Sequence, residues 1–492
     1  MKNKKILSLI ILTSILFTSC SNAKKIIPED KYQITEEKQS SYTLQTQSPE
    51  ETKNPTDTNI TTTEESNTET TSDETTKEET TSSEINSSTT TTTTTKPIIT
   101  QQTTTTIKPN TSSQTTMTPP TTGTYSTLNY DIQKGIWISF LESEIKSAYK
   151  TEFQFRSQIA SAYAKAKAMG INTVYVHARS HGDAFYDSEY YPWSHLSAGK
   201  IGNAPSYDPF KIMVDEAHKQ GLSFHAWINP MRGPTESNMQ ALALNKNDNS
   251  IIKQWYNDPQ KNGTYLVKHK VGKTTNYYLN PAYPEVQDLI NKGITEIISK
   301  YKVDAIHIDD YFYPTTSDTF DKSAYNKYGG GQNLADWRRS NTDKMVRSMY
   351  STVKRANSNV LFGISPAGNI SNNYNSLYAD IAKWCSTTGY MDYVIPQLYW
   401  GFEHSSSDFK KACSIWSDTV KSSSIDLIIG LGTYKVCEKK EDDFIDNPYI
   451  MSQQIAHSKT LSKYKGIAFF RYENLMDNAL NADRQNITDQ LK

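Results

Sequence analysis

The chain has 492 residues, 36% of them hydrophobic and 11% aromatic, and its formal net charge is -1. A near-neutral chain has no basic field with which to release the counterions of a nucleic acid, so nucleic acid is excluded as the expected partner. The length alone would suit about two to four domains, but the composition of the N-terminal quarter does not allow that many.

Residues 1–20 have the pattern of a secretory signal. The first five residues include three lysines, and an apolar run from Ile6 to Phe17 follows that is too short for a comfortable membrane span. The run ends in Leu-Phe-Thr-Ser-Cys, which resembles a bacterial lipobox with Cys20 as the lipidated residue. We therefore predict a lipoprotein signal peptide, with the mature chain anchored to the outer face of the bacterial cytoplasmic membrane. An ordinary cleaved signal with a chance cysteine is the alternative.

Residues 21–130 are dominated by Thr, Ser and Glu, with an unbroken threonine run from Thr89 to Thr95. Apolar side chains are too sparse here to offset the entropy of ordering the chain, so we predict a disordered linker. As a flexible coil, a segment of this length has an r.m.s. span of roughly 50–60 Å. It would act as a leash for an anchored domain or as an inert spacer.

From residue 131 onward, apolar runs of strand length alternate with amphipathic stretches of helix length. The predicted strands are Gly135–Leu141, Thr173–His177, Leu222–Ile228, Ala305–Asp309, Leu361–Ser365, Tyr393–Leu398, Leu427–Leu431 and Ile467–Arg471. The predicted helices lie near Thr151–Met169, Pro209–Gln220, Pro284–Lys300, Asn333–Ala356, Asn375–Ser386, Ser407–Ser422 and Met451–Leu461. Such alternation requires parallel strands with helical crossovers, and the chain lacks the Gly-x-Gly-x-x-Gly turn of a doubly wound sheet. We predict an α/β fold, a single (β/α)8 TIM barrel over residues 131–492.

The active site of a TIM barrel lies at the carboxyl ends of its strands, and these ends are polar and aromatic here. The candidate substrate-binding residues are His177, Arg179, Asn229, Arg232, His307, Tyr311, Gln397, Tyr399, Trp400 and Glu473. Together with Trp193, Trp227 and Tyr313, the aromatic members would offer stacking surfaces for sugar rings. Core packing is the ordinary alternative use of each ring.

The fourth predicted strand carries the sharpest signal, because it ends in two consecutive aspartates, Asp309 and Asp310. Alternate residues of a strand face opposite sides, so Ile306 and Ile308 suit the helix layer while His307 and Asp309 face the barrel mouth. A buried charge costs several kcal/mol unless it is paired, which makes packing a poor explanation for this pair. The structural alternatives are that Asp310 caps a turn and that an arginine neutralises Asp309.

Hydrolysis of a glycosidic bond uses two carboxyl groups, one as the acid and the other as the nucleophile or base. We assign Asp309 as the deprotonated partner, with Asp310 as its alternative. Glu403 is the first candidate for the acid and Glu473 the second, because aromatic surroundings can raise the pKa of a carboxyl group. A solvated loop glutamate is the competing interpretation of Glu403.

The sequence predicts no metal and no organic cofactor. Cys385, Cys413 and Cys437 have no Cys-x-x-Cys or Cys/His spacing, so we expect small core residues rather than disulfides or a zinc site. His177 and His307 could imitate a metal site together with Asp309, but no His-x-His pair accompanies them.

Several motifs of the barrel, taken in order, resemble glycosyl-hydrolase-like family ten, a family of bacterial envelope proteins. The matching stretches are residues 171–176, 183–186, 191–194, 207–209, 216–219, 225–230, 306–311 and 396–400. The resemblance implies a TIM-barrel hydrolase of peptidoglycan glycan strands, plausibly strands stripped of their stem peptides. It supports as site residues Arg179, Asn229, Arg232, Asp309, Asp310, Tyr311, Gln397 and Tyr399. It does not assign the general acid.

The function that we predict is hydrolysis of a β-linked amino-sugar polymer of the bacterial cell wall. Arg179 and Arg232 would hold the lactyl carboxylate of muramic acid or tune Asp309. Two alternatives stay open, namely a hydrolase of another polysaccharide and a non-catalytic lipoprotein that binds wall glycan through its aromatic rim. Retention of two adjacent acids counts against the second, because binding alone does not need them.

Overall fold

The computed structural model describes residues 125–439 and 441–492. The predicted signal peptide with Cys20, and the predicted linker up to residue 124, lie outside the described residues. Within the described part of the chain, no helix is long and apolar enough to cross a membrane.

The described chain alternates strands and helices. The strands are β1 (Gln133–Ile138), β2 (Thr173–Arg179), β3 (Ser223–Ile228), β4 (Arg232–Thr235), β5 (Leu266–Val271), β6 (Thr274–Leu279), β7 (Ala305–Ile308), β8 (Leu361–Ile364), β9 (Tyr393–Val394), β10 (Asp426–Gly432) and β11 (Tyr464–Phe470). The helices are α1 (Glu152–Ala168), α2 (His195–Ala198), α3 (Pro209–Lys219), α4 (Glu236–Leu244), α5 (Ile251–Asn257), α6 (Pro284–Lys300), α7 (Lys322–Tyr328), α8 (Leu334–Ala356), α9 (Ile370–Asn375), α10 (Ile381–Ser386), α11 (Phe409–Thr419), α12 (Tyr434–Glu438), α13 (Asp442–Asp446), α14 (Ile450–Ser458), α15 (Tyr472–Leu475) and α16 (Arg484–Leu491).

Eight of the strands close into a barrel in the order β1, β2, β3, β7, β8, β9, β10 and β11, which returns to β1. Every neighbouring pair in this barrel is parallel. The predicted TIM barrel is therefore confirmed, and each of the eight predicted strands overlaps one barrel strand.

Two strands, β1 and β9, end several residues before their predicted carboxyl ends. β1 ends at Ile138 because the next residues form a turn, in which the buried Glu142 carboxylate accepts hydrogen bonds from the Ser139 amide, at 2.6 Å, and from the Ser139 hydroxyl. β9 has two residues, and Gln397 continues its pairing only as isolated bridges. The strand ends that carry the candidate residues are thus irregular rather than extended.

The helix predicted at Asn375–Ser386 is wrong, since two short helices, α9 and α10, occupy this region. Tyr378 lies between them with a φ of 54°, a left-handed conformation that interrupts a helix. The side chain of Asp380 then caps α10, where it accepts a hydrogen bond from the Lys383 amide at 3.2 Å. The other predicted helices are confirmed as α1, α3, α6, α8, α11 and α14, and α16 was not predicted.

A small antiparallel sheet lies in the connection between β3 and α6, with the strand order β4-β6-β5. The sequence analysis did not predict this sheet. Arg232 of β4 pairs with Tyr278 of β6, so the sheet fixes a residue that follows the end of a barrel strand.

The interior of the barrel is filled by aromatic rings. Trp137, Tyr175, Trp227 and Tyr393 are all buried there. Glycine makes the room, since a side chain on Gly363 would overlap the ring of Tyr393 on the neighbouring strand. Large rings opposite glycine therefore replace the branched aliphatic layers that are usual in such barrels.

A directional chain of hydrogen bonds crosses this interior. Trp137 Nε1 donates to His307 Nε2 at 3.1 Å, and His307 Nδ1 lies 3.1 Å from the Tyr393 hydroxyl. Because an indole can only donate, His307 carries its proton on Nδ1 and donates it to Tyr393. The Tyr393 hydroxyl in turn donates to His225 Nδ1 at 2.8 Å, and His225 Nε2 donates to the Ser223 hydroxyl at 3.0 Å. This series of hydrogen bonds requires the imidazoles of both His307 and His225 to be neutral.

The first described residues are fixed to the amino-terminal face of the barrel. Asp304, just before β7, is buried and accepts hydrogen bonds from the Tyr125 hydroxyl at 2.7 Å and from the Leu128 amide at 2.6 Å. Its second oxygen accepts from the Phe224 amide at 2.7 Å and lies 2.9 Å from His218 Nε2. The last residues of the predicted linker are thus bonded to the barrel.

Stability should fall in acid because of the interior histidines. Burial lowers the pKa of His307 well below its ordinary value and that of His225 to about 3. The unfolded chain therefore binds more protons than the folded chain below about pH 6.5, and stability decreases by roughly 1 kcal/mol per pH unit for each histidine as the pH falls toward the folded-state pKa. Urea unfolding at about pH 7 and about pH 5 measures this slope.

The variant His225→Gln should be less stable than wild type near pH 7 but should lose less stability on acidification. Ile428→Val is the matched control, since it alters the same interior without a titratable group and should cost about 1 kcal/mol at both pH values. Equal slopes for wild type and His225→Gln would contradict the prediction.

Candidate active site

Asp309 lies at the carboxyl end of β7, at the mouth of the barrel. Ile306 and Ile308 pack in the layer between barrel and helices, and His307 points into the barrel interior, as the strand alternation predicted. Asp309 is 4% exposed, and its Oδ1 accepts a hydrogen bond from the Tyr311 amide at 3.3 Å. Its Oδ2 is buried and has no hydrogen-bond partner among the described residues. This atom is the one available to a substrate.

Burial and two neighbouring charges have the largest effects on the protonation of Asp309. Burial raises its pKa well above the ordinary value, the adjacent Asp310 charge raises the pKa further, and the Arg232 guanidinium opposes both. Two carboxyl groups that share such a site do not both ionise easily. The raised pKa favours the protonated form of Asp309, which differs from the deprotonated role that we assigned to it from the sequence.

A series of hydrogen bonds through His181, Ser180 and Asp183, called the relay below, holds Arg232 beside this pair. Its guanidinium lies 4.2 Å from the centre of the Tyr311 ring, and Nη2 donates to His181 Nε2 at 2.7 Å. Since a guanidinium only donates, His181 carries its proton on Nδ1 and donates it to the Ser180 hydroxyl at 3.0 Å. The Ser180 hydroxyl donates to Asp183 at 3.3 Å, and Asp183 also accepts the His181 amide at 2.9 Å.

The relay requires a neutral His181. Burial lowers the pKa of its imidazole well below the ordinary value, and the Arg232 charge lowers the pKa further. An imidazolium would have no lone pair for Arg232 and would repel it. His181 and Asp183 are thus positioning residues for Arg232, and neither was assigned from the sequence. The polar stretch directly after β2 was the available signal.

Aromatic rings form one wall of the mouth. Tyr278 of β6 pairs with Arg232 across the small sheet, and its ring meets Phe320 edge-on at 6.2 Å. Phe320 in turn meets Tyr313 at 5.9 Å. Tyr278 was missed because no local pattern in the sequence indicates that the insertion folds back over the strand ends.

Tyr399 forms the opposite wall. Its ring stacks on Phe470 at 5.8 Å and meets Tyr434 edge-on at 5.8 Å. Burial raises the pKa of Tyr399 well above its ordinary value, and the charges of Tyr434, Asp310 and Asp309 add to this. The Tyr399 hydroxyl therefore stays protonated, so that it can donate a hydrogen bond.

Two further predicted residues lie near this wall. Gln397 Nε2 donates to the Ser365 carbonyl at 3.1 Å and so ties the ends of β8 and β9 together. Trp400 is half-buried, and its ring lies against Gly368 in the loop after β8. The structure thus brings together Asp309, Asp310, Tyr311, Arg232 and Tyr399, with Gln397 and Trp400 at the neighbouring strand ends.

His177 and Asn229 lie below the mouth. His177 is fully buried, its ring stacks on Trp227 at 3.4 Å, and Nδ1 accepts the Phe140 amide at 3.1 Å. Asn229 is also fully buried and donates to the Ser180 carbonyl at 3.2 Å. Both ring nitrogens of His307 have protein partners, as described above. These residues support the floor of the site, and their assignment as substrate-binding residues stays a prediction.

Arg179 faces a different direction from the one expected. The register of β2 and β3 shifts between His177 and Arg179, so that Arg179 pairs with Ile228, a residue of the outer layer. Its guanidinium lies 4.2 Å from the centre of the Tyr191 ring. Arg232, rather than Arg179, is the arginine whose charge acts on Asp309.

The two glutamates proposed as acids are exposed. The Glu403 amide donates to Asp443 at 2.6 Å, and Glu403 lines a surface depression of about 440 Å³ with Lys410 of α11 and Gln453 of α14. These described contacts place Glu403 against the helix layer. Glu473 is 61% exposed and pairs with Arg471 at 2.8 Å.

Arg471 also pairs at 3.0 Å with Glu142, a fully buried acid that the sequence did not single out. Burial raises the pKa of Glu142, and Arg471 and Ser139 oppose that shift. The pair links the ends of β1 and β11. Among the described residues, no group of three His, Cys, Asp or Glu side chains is placed to hold a metal ion.

A solved structure with the same fold is the catalytic domain of the β-amylase from Paenibacillus polymyxa. It superposes with a TM-score of 0.50 at 11% sequence identity, over 74% of this chain and 99% of that domain. The likeness shows the TIM-barrel fold. This fold places the carboxyl pair at the strand ends, where the active sites of TIM-barrel enzymes lie.

Sequence relatives give the family. Glycosyl hydrolase DigH of Escherichia coli K12 is 35% identical over 331 residues, which are 62% of this chain and 73% of that protein. Glycosyl hydrolase YngK of Bacillus subtilis strain 168 is 33% identical over 341 residues, 65% of this chain and 64% of that protein. Residues 133–447 match the family described as Glycosyl hydrolase-like 10, and the chain belongs to it. The protein is a glycosidase.

Removal of the Arg232 charge should raise the pKa of Asp309 further. In Arg232→Met we expect the alkaline limb of the pH dependence of kcat to move up by about one pH unit, because a cation that favours the carboxylate is lost. Arg232→Lys keeps the charge and is the matched control, with a limb close to that of wild type. A limb that moves to lower pH in Arg232→Met would contradict the assignment of Asp309 as the acid.

Proposed function

We propose that this glycosidase cleaves the glycan strands of bacterial peptidoglycan, with Asp309 as the acid that protonates the leaving oxygen. The observation that carries the catalytic assignment is the buried Oδ2 of Asp309, which has no partner in the described chain and lies beside Asp310 at the barrel mouth. A carboxyl group with a raised pKa is the form that an acid catalyst needs near neutral pH.

The electrostatics of the mouth support an anionic glycan. Arg232 places a positive charge at the carboxyl pair, whereas the charge of Arg471 at the end of β11 is already paired with Glu142 and Glu473. In strands stripped of stem peptides, the lactyl group of every muramic acid ends in a free carboxylate. An arginine binds such a group through two parallel hydrogen bonds. The half-buried rings of Tyr311 and Trp400 add surfaces on which sugar rings can stack.

Export and anchoring are a separate part of the proposal. The lipobox pattern at residues 16–20 supports lipidation of Cys20 and a location on the outer face of the cytoplasmic membrane, where peptidoglycan is accessible. The long Thr/Ser-rich segment would then connect the anchor to the catalytic barrel.

The substrate is tested with the chain from residue 21 onward, incubated with purified peptidoglycan that is intact or amidase-stripped. Mass spectrometry of the products should show disaccharide-repeat fragments, mainly from the stripped strands. Asp309→Asn should lower turnover by about a hundredfold or more, since it removes the acid. Asp288→Asn, an exposed residue of α6, is the matched control and should leave turnover close to wild type.

Other outcomes of this experiment point to other functions. Binding of the strands without cleavage would support the glycan-binding alternative, and neither cleavage nor binding would indicate another polysaccharide. Glu403→Gln should keep turnover, because that side chain lies against the helix layer. Its loss of turnover with an intact fold would instead establish Glu403 as the acid.

The anchor is tested in a bacterial host with the full chain and Cys20→Ser. An alkyne-labelled fatty acid should be incorporated into the wild-type chain, which should fractionate with membranes. Cys20→Ser should remain unlabelled. Equal labelling of both chains would contradict lipidation at Cys20.

A further inference from the structure

The two carboxyl groups of the site come from one strand end. Asp309 and Asp310 are consecutive, so both reach a bound sugar from the β7 side of the mouth. In the mechanism with two protein carboxylates, the acid protonates the leaving oxygen while the second carboxylate attacks, or activates water, on the opposite face of the ring. Neighbouring residues on one loop are poorly placed for opposite faces. The attacking group must therefore come from elsewhere.

The other acids at the strand ends are engaged in the barrel framework. Glu142 is fully buried, with both oxygens bonded to Arg471 and Ser139. Asp183 accepts hydrogen bonds in the relay that holds Arg232. Glu473 is exposed and paired with Arg471, and Glu403 lies against the helix layer. None of these four acids has a described hydrogen bond or ion pair with Asp309, and Asp183 is connected to that side of the mouth only through the residues that hold Arg232.

We propose that the nucleophile is the 2-acetamido group of the substrate, so that the sugar at the cleaved bond is an N-acetylated amino sugar. This inference rests on the proposed function and narrows it to a substrate class. Participation by an acetamido neighbour is an established alternative to a protein nucleophile among glycoside hydrolases. It needs two protein carboxyl groups on the same side of the sugar, one as the acid and one to hold the acetamido N–H.

In the first step of this reaction, Asp309 donates a proton and Asp310 orients the acetamido group. The acetamido carbonyl oxygen attacks C1 while the bond from C1 to the leaving oxygen breaks. The electron pair of that bond goes to the leaving oxygen, which takes the proton of Asp309. Asp310 accepts the N–H of the acetamido group and balances the positive charge of the resulting oxazolinium ring.

Water then attacks C1 and gives one proton to Asp309, while the bond from C1 to the acetamido oxygen breaks and restores the acetamide. One water is consumed, both carboxyl groups return to their starting states, and the configuration at C1 is retained.

Tyr399 fits this scheme as a positioning residue. Its ring stacks on Phe470 and contacts Tyr434 at the end of a neighbouring barrel strand, and the charges of both carboxyl groups act on its hydroxyl. A phenol that stays protonated can donate to the acetamido oxygen and hold it toward C1. Tyr399→Phe should therefore slow the N-acetylated substrate without changing the retained configuration.

The experiment compares stripped peptidoglycan strands in their native form with the same strands after chemical N-deacetylation. We expect the chain from residue 21 to cleave the native strands and to cleave the deacetylated strands about a hundredfold more slowly or not at all. Nuclear magnetic resonance should show the retained anomer as the first product. Equal cleavage of the two substrates, or an inverted first product, would overturn this inference and leave the proposed function intact.

Absence of cleavage of both substrates would overturn the proposed function and this inference with it. A thiazoline analogue of the bicyclic intermediate should inhibit wild type and should bind Asp310→Asn at least about tenfold more weakly by calorimetry. Asp288→Asn is again the matched control, and thermal unfolding verifies that each variant is folded. Loss of turnover in Glu473→Gln, with Asp310→Asn unaffected, would assign a protein nucleophile and overturn the proposal.

Discussion

The active site depends on one electrostatic constraint, the burial of the Asp309 carboxyl group beside the half-buried Asp310 at the end of β7. Two such groups do not both carry a charge readily in a site with little solvent, so the pair favours a state with one proton and one negative charge. Arg232 compensates the single charge. The relay from Asp183 through Ser180 and His181 then serves to keep Arg232 in place, since a freely moving guanidinium would not fix the protonation of the pair.

In the barrel interior below the site, the protonation states of buried groups are also constrained, and there they affect the stability of the fold. Trp137 can only donate, and this fixes the direction of each hydrogen bond from His307 through Tyr393 to His225. This series of hydrogen bonds can form in only one direction. It therefore holds His307 in one position, two residues before Asp309. The same residues that make the interior unusually polar thus set the position of the catalytic strand end. The cost is a dependence of stability on neutral imidazoles.

Much of the fold could be predicted from periodicity, because a barrel strand is short, apolar and separated from the next by an amphipathic helix. The carboxyl pair could also be predicted, since Ile306 and Ile308 determine which way Asp309 points. Long-range features could not. A register shift turned Arg179 outward, the sheet that carries Tyr278 depends on pairing across an insertion, and the position of Glu403 depends on how its loop meets α11 and α14. None of these leaves a local pattern.

The hydrogen bonds at Asp304 have a mechanical consequence. Tyr125 and Leu128 hold the incoming chain to the carboxylate at the start of β7, on the face of the barrel away from the mouth. Tension on the chain before residue 125 would be borne first by these bonds and passed into a strand that neighbours on both sides support. The segments that carry Arg232 and Tyr399 do not take part in these hydrogen bonds and would not bear this tension. The proposed tether would therefore pull on the barrel without distorting Arg232 or Tyr399.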